Sequence, residues 1–145
     1  MQGFSRTFSI AGQDFSKGGS ASLEIKEILR EMGVDPALVR RVAIAAYEAE
    51  MNVVMYAERG EMSVDVDPQT IRLSLDDEGP GIEDIERAMQ EGYSTATAEM
   101  QQMGFGAGMG LPNIKKNADL FELASTFGKG TSYRITFHVA PAGQP

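Results

Sequence analysis

From Val42 to Ala57 the sequence is apolar almost all the way round a helix, so other elements must cover most of its surface. Asp35-Pro36 opens this helix, with aspartate as N-cap and proline at the first helical position, and the pattern carries it to about Glu58. Three polar residues interrupt the stretch: Glu48, Glu50 and Asn52. At about 3.6 residues per turn, Glu48 and Asn52 share a face with Tyr56, while Glu50 points roughly the other way. Buried carboxylates are rare unless they are paired or have a chemical task. A hydrogen-bonded Glu48–Asn52 pair at a wet helix edge is the plain alternative.

Two glycine boxes follow, Asp77-Glu78-Gly79-Pro80-Gly81 and Gly104-Phe105-Gly106-Ala107-Gly108-Met109-Gly110. Glycine lets a backbone approach a ligand and adopt positive φ, so that its N–H groups can point at phosphate oxygens. An aspartate opening such a loop can accept a hydrogen bond from an exocyclic amine, which adenine presents. With Glu48 and Asn52 upstream, the boxes read as a nucleotide pocket. No Gly-Lys-Ser/Thr closes a glycine loop, and no strand leads into the second box, which excludes Walker A and dinucleotide-binding readings.

Composition narrows the classes further. The chain has 145 residues, one histidine and no cysteine, which excludes disulfides and makes zinc chemistry an unsuitable reading. Its formal net charge of -8 argues against a broad nucleic-acid or anionic-membrane surface. No apolar run spans a bilayer and no signal peptide opens the chain, so a cytoplasmic protein is expected. One domain is expected over residues 1–140, with 141–145 a disordered tail.

In chain order, Phe4–Ile10 alternates like a strand. Ala21, Ile25, Ile28, Leu29 and Met32 then mark one face of a helix that Gly33 ends. After the long helix come strands at Met62–Val66 and Thr70–Leu75, a short helix from Glu83 to Glu91, and a glycine- and methionine-rich loop from Gly92 to Gly110. A third helix with Pro112 in its first turn is expected to run to about Asp119, followed by strands at Phe121–Ser125 and Ser132–Val139. This order predicts an α/β (α+β) two-layer sandwich, with a mixed, mostly antiparallel sheet and helices on one face.

The series Glu48-x-x-x-Asn52, Asp77-x-Gly79-x-Gly81, Gly106-x-Gly108-x-Gly110 and Gly128-Lys129-Gly130-Thr131 resembles the motifs of the GHKL (histidine-kinase-like) ATPase superfamily. The chain is most similar there to bacterial anti-sigma-factor and switch serine/threonine protein kinases. Tyr47-Glu48 to Tyr56-Ala57, Gly92-Tyr93-Ser94-Thr95 and Gly106 through Pro112 carry that likeness.

The resemblance implies a Bergerat-type ATP-binding fold, with the ATP lid between the short helix and the third helix. It implies ATP or ADP and Mg²⁺ as cofactors, with Asn52 binding Mg²⁺ and Glu48 as general base. Asp77 would recognise the adenine amine with Thr131 assisting, and Gly79, Gly81 and Ile82 would line the base. Gly106, Gly108, Met109, Gly110 and Leu111 would meet the phosphates, with Ser94 and Thr95 near the lid hinge. The implied partners are an antagonist-type (STAS-like) protein substrate, with a sigma factor or phosphatase beside it, and a homodimer. Two rival activities are a nucleotide-dependent anti-sigma or activator binding module, and a detached histidine-kinase-type catalytic domain. No Lys or Arg occurs from Gly92 through Asn113, which leaves Mg²⁺, backbone amides, Lys115, Lys116 or Lys129 to offset developing charge.

Overall fold

Alternating apolar residues on four strands give the chain a sheet with one greasy face. A computed structural model describes residues 3–82, 84–90 and 110–139. Strands β1 (Phe4–Ala11), β2 (Arg59–Val66), β3 (Thr70–Glu78), β4 (Leu120–Thr126) and β5 (Gly130–His138) form one sheet in the order β1-β2-β3-β5-β4. Every neighbouring pair is antiparallel, so the sheet is antiparallel throughout and has no parallel component. A helical excursion joins β1 to β2, turns join β2 to β3 and β4 to β5, and the connection from β3 crosses to the edge strand β4, which runs in the same sense as β3 but pairs only with the intervening β5. Nothing in this topology forces a parallel pair.

Strand register sets the core. Val64 faces Leu73, and Leu73 faces Ile135. With Phe8, Met62, Leu75 and Phe137 they line the inner face, while Ser63, Ser74 and Arg134 occupy the outer one. Across the inner face lies α2 (Pro36–Tyr56), flanked by α1 (Ser20–Glu31) and α4 (Gly110–Asn117). Val42, Ala45, Ala46, Ala49 and Val53 of α2 are wholly buried, as a helix apolar almost all round requires. Among the described residues, no helix is long and apolar enough to cross a membrane.

Local signals account for the ends of the elements. The Asp35 carboxylate accepts from the N–H groups of Ala37 (3.1 Å) and Leu38 (3.3 Å), capping α2. Gly33 has φ of 79°, a left-handed turn that separates α1 from α2. The expected short helix is a single turn, α3 (Ile85–Ala88), capped by Asp84. Helix α4 (Gly110–Asn117) carries Pro112 in its first turn, as expected.

Glu50 has a task that periodicity alone does not reveal. Its carboxylate is 2% exposed and accepts from the backbone N–H groups of Gly19 (3.0 Å), Ala21 (3.2 Å) and Ser22 (2.8 Å). Gly19 has no side chain to cap α1, so a residue of α2 satisfies the orphan N–H groups. Glu50→Gln puts an amide N–H group against those donors. We expect a loss of about 2 kcal/mol in denaturant unfolding, with the far-UV spectrum of the folded protein unchanged.

Candidate functional site

The site is built where α4 begins against the middle of α2. A Cβ at Gly110 would lie 3.2 Å from Glu48 Oε2 and 3.5 Å from Asn52 Oδ1, so the start of α4 comes down on that carboxylate and amide. One turn into α4, the Asn113 side chain hydrogen-bonds Glu48. Burial pushes the Glu48 carboxyl above its ordinary value, and the Asn113 hydrogen bond partly opposes this. On the other side, Asn52 Nδ2 donates to the Tyr133 hydroxyl at 3.4 Å. Tyr133 is buried and stacked on Phe121, with ring centroids 6.4 Å apart.

A second cluster forms where β3 runs into the first glycine box. Asp77 Oδ1 accepts from the Thr131 backbone N–H at 2.9 Å. Burial pushes the Asp77 carboxyl up, the Thr131 N–H pulls it back, and the charge of Asp76 adds to the rise. Ser125 faces Thr131 across the β4–β5 pair, and their hydroxyls lie 3.0 Å apart. The Ser125 Oγ also accepts from the Ile82 N–H at 2.7 Å, which ties the first glycine box to β4.

The glycines of that box are there for space. A Cβ at Gly79 would lie 2.9 Å from the Ala57 Cα at the end of α2. Gly81 has φ of 76°, and a Cβ there would meet the Thr126 carbonyl oxygen at 2.6 Å. The β4–β5 turn is stitched to the same box, with Gly79 N–H donating to Lys129 O (3.0 Å) and Gly128 N–H to Pro80 O (2.7 Å).

The two clusters belong to one surface. Thr131 and Tyr133 are two residues apart on β5, so they project to the same face of the strand. Thr131 meets Asp77 and Tyr133 meets Asn52. The charge of Asp77 also acts on the Tyr133 hydroxyl. Glu48, Asn52, Asp77, Gly79, Gly81, Ile82, Gly110, Leu111 and Thr131 therefore fall along the Asp77-to-Glu48 line or on the elements that hold it. Leu111 is buried against the core. Ser94, Thr95, Gly106, Gly108 and Met109, with the rest of the expected lid, lie outside the described residues.

Among the described residues, no group of three or more His, Cys, Asp or Glu side chains is placed to hold a metal. The donor set suits a different kind of site. With its amide nitrogen on Tyr133, Asn52 turns its oxygen toward the start of α4, a single hard ligand of the kind Mg²⁺ takes beside phosphates and water. The described part of α4 begins at Gly110, beside that oxygen, and a helix N-terminus favours anions.

Residues 18–137 match the family model of the histidine kinase-like ATPase domain. The chain belongs to that family. It is 31% identical over 110 residues to the serine/threonine-protein kinase RsbT of Bacillus subtilis, covering 73% of this chain and 77% of that protein. It is 31% identical over 113 residues to the anti-sigma F factor of a Thermoanaerobacter species, covering 73% and 76%. Among solved structures, a mycobacterial sensor histidine kinase, MprB, superposes with a TM-score of 0.52 at 19% identity, over 94% of this chain and 99% of that one. The catalytic domain of the histidine kinase ThkA gives 0.53 at 15% identity, over 99% and 100%. At those identities the superpositions speak to the fold, and they agree with the two-layer sandwich.

Within this GHKL-type domain, sequence reasoning missed Tyr133, Asn113 and Ser125. Signals for all three exist. Tyr133 follows Thr131 by one strand repeat, Asn113 is one turn past the last glycine of the second box, and Ser125 is the cross-strand neighbour of Thr131. Lys115 and Lys116 are in the last turn of α4, away from its N-terminus, and Lys129 is in the turn beside Asp77.

Asp77 gives a prediction with a worked sign. Its folded-state pKa is raised, so its charged form is penalised by folding. That penalty grows as pH rises from the ordinary carboxylate value of 3.8 through the raised one. Asp77→Asn removes it, and the ligand-free variant is expected to be at least as stable as wild type at neutral pH. ATP binding by calorimetry should weaken at least tenfold, the size of a lost hydrogen bond to a charged group.

Proposed function

We propose that this chain is an ATP- and Mg²⁺-dependent serine/threonine protein kinase of a bacterial partner switch, acting in the cytoplasm on a small antagonist-type (STAS-like) protein. One domain, residues 1–140, carries the activity. The observation behind the reading is that Glu48 and Asn52 stand together at the start of α4, on one surface with Asp77. Kinship with RsbT and an anti-sigma F factor supports the switch context.

In this reading Asp77 accepts from the adenine amine, Thr131 assists, and Gly79, Gly81 and Ile82 let the backbone pass close under the base. Gly106, Gly108, Met109, Gly110 and Leu111 supply N–H groups to the phosphates at the start of α4. Asn52 holds Mg²⁺, which neutralises phosphate charge when bound. Glu48 takes the proton of the incoming Ser or Thr hydroxyl. Its burial makes it a stronger base than a solvated carboxylate. Ser94 and Thr95 mark the hinge of the lid.

Incubation with labelled ATP and candidate antagonist proteins tests this, the expected product being an acid-stable phosphoprotein. An acid-labile product points instead to a histidine-kinase-type domain. A second reading draws on the absence of Lys and Arg from Gly92 through Asn113. In it the chain is a nucleotide-dependent anti-sigma or activator module with little transfer. Partner capture that depends on nucleotide, without phosphorylation, selects that reading.

A further inference from the structure

Tyr133 carries the only described hydrogen bond of the Asn52 side chain. Its ring is 2% exposed and stacked on Phe121, so the hydroxyl is held in one place. An asparagine amide can present either its oxygen or its NH₂ group to a ligand, and only the oxygen can bind a cation. A phenol can receive from one end of that amide or donate to the other, so by itself it does not choose. In the structure the phenol receives: the Asn52 Nδ2 donates to its oxygen at 3.4 Å, so a phenolic lone pair faces Asn52. The Asn52 NH₂ group then occupies that lone pair, and its oxygen lies on the Gly110 side, 3.5 Å from where a Cβ of that glycine would be.

We propose that Tyr133 is a positioning residue that fixes the Asn52 amide with its oxygen toward the phosphate-bound cation and so couples the Asp77 end of the pocket to the metal end. This rests on the nucleotide reading of the pocket given above. The substitution that isolates the effect is Tyr133→Phe, which removes one hydroxyl and keeps the buried, stacked ring.

ATP binding is measured by calorimetry on the wild type and Tyr133→Phe, once with excess EDTA and once across a Mg²⁺ titration, below both unfolding midpoints. In the variant, the factor by which Mg²⁺ tightens ATP binding falls about tenfold, as for other groups that orient a metal ligand, while affinity in EDTA stays within about twofold. Equal losses in both conditions mean that the hydroxyl acts through packing and overturn the proposal, as does an undiminished response to Mg²⁺. A wild type that binds ATP with no gain from Mg²⁺ overturns the coupling but leaves the Asp77 pocket standing. A wild type that binds no ATP in either condition removes the pocket reading as well.

Discussion

Under the proposed kinase function, replacing Glu48 with glutamine is expected to lower phosphate transfer by about 10²- to 10⁴-fold and to leave Mg²⁺·ATP binding within a few-fold of wild type. The split follows from where the side chain stands. Glu48 is beside Gly110 and hydrogen-bonded to Asn113, next to the Asn52 amide but separate from it. Glutamine keeps an oxygen for Asn113 and nearly the same volume, and loses the ability to accept a proton. Stability moves the other way. The folded-state pKa of Glu48 is raised, chiefly by burial, so above its ordinary value of 4.5 the ionised carboxylate costs the native state free energy. That cost grows as pH rises through the raised value and persists at neutral pH. Glu48→Gln removes it, so the ligand-free variant unfolds at a higher midpoint than wild type at pH 7, with the difference vanishing toward pH 4. Single-turnover transfer assays and unfolding curves at the two pH values check both halves. A variant that retains transfer removes Glu48 from the chemistry.

Much of this was legible because the local signals agreed with the global structure. Asp35-Pro36 and Gly33 predicted helix ends that the dihedrals and cap bonds reproduce. The face shared by Glu48 and Asn52 is the face on which α4 arrives. The failures have physical causes. The sheet, expected to be mixed, is antiparallel in every pair. The register of β1 against β2, Phe4 opposite Val66, is fixed by non-local pairing that a linear pattern does not encode.

Glu50 is the instructive case. Its direction, away from Glu48, was correct, but its partners belong to the loop and helix 28 to 31 residues earlier. A buried carboxylate in an apolar helix signals a task without naming it. One such residue on α2 serves folding, and another lies in the candidate site. Tyr133 was hidden for a related reason: a tyrosine in a strand reads as core, and only the position of Asn52 across the sheet–helix layer gives its hydroxyl a partner.

Gly130→Ala is expected to remove folding stability and nucleotide binding together. The first atom of any side chain at this position would lie 2.0 Å from the Asp77 carbonyl oxygen and 3.0 Å from its carbonyl carbon. These are backbone atoms of the adjacent β3, so no rotamer change can make room. Relief requires β3 and β5 to part at the point where Thr131 N–H donates to Asp77. Overpacking where side chains can yield costs about 1–3 kcal/mol, and here the lower part of that range is closed. A loss of roughly 3 kcal/mol, or about 10 °C in a domain of this size, is the expected outcome. Gly128→Ala is the matched control two residues earlier. Gly128 has φ of 80° and nothing within 4 Å of an added Cβ, so alanine there meets only the left-handed backbone cost of roughly 1–2 kcal/mol. ATP affinity separates the two variants at a temperature where both are folded: Gly128→Ala keeps it, because the Asp77–Thr131 bond is undisturbed, and Gly130→Ala loses it. A Gly130→Ala protein with wild-type melting and wild-type affinity would show that β3 and β5 can separate there without consequence, and that Asp77 does not depend on their closeness for its place in the site.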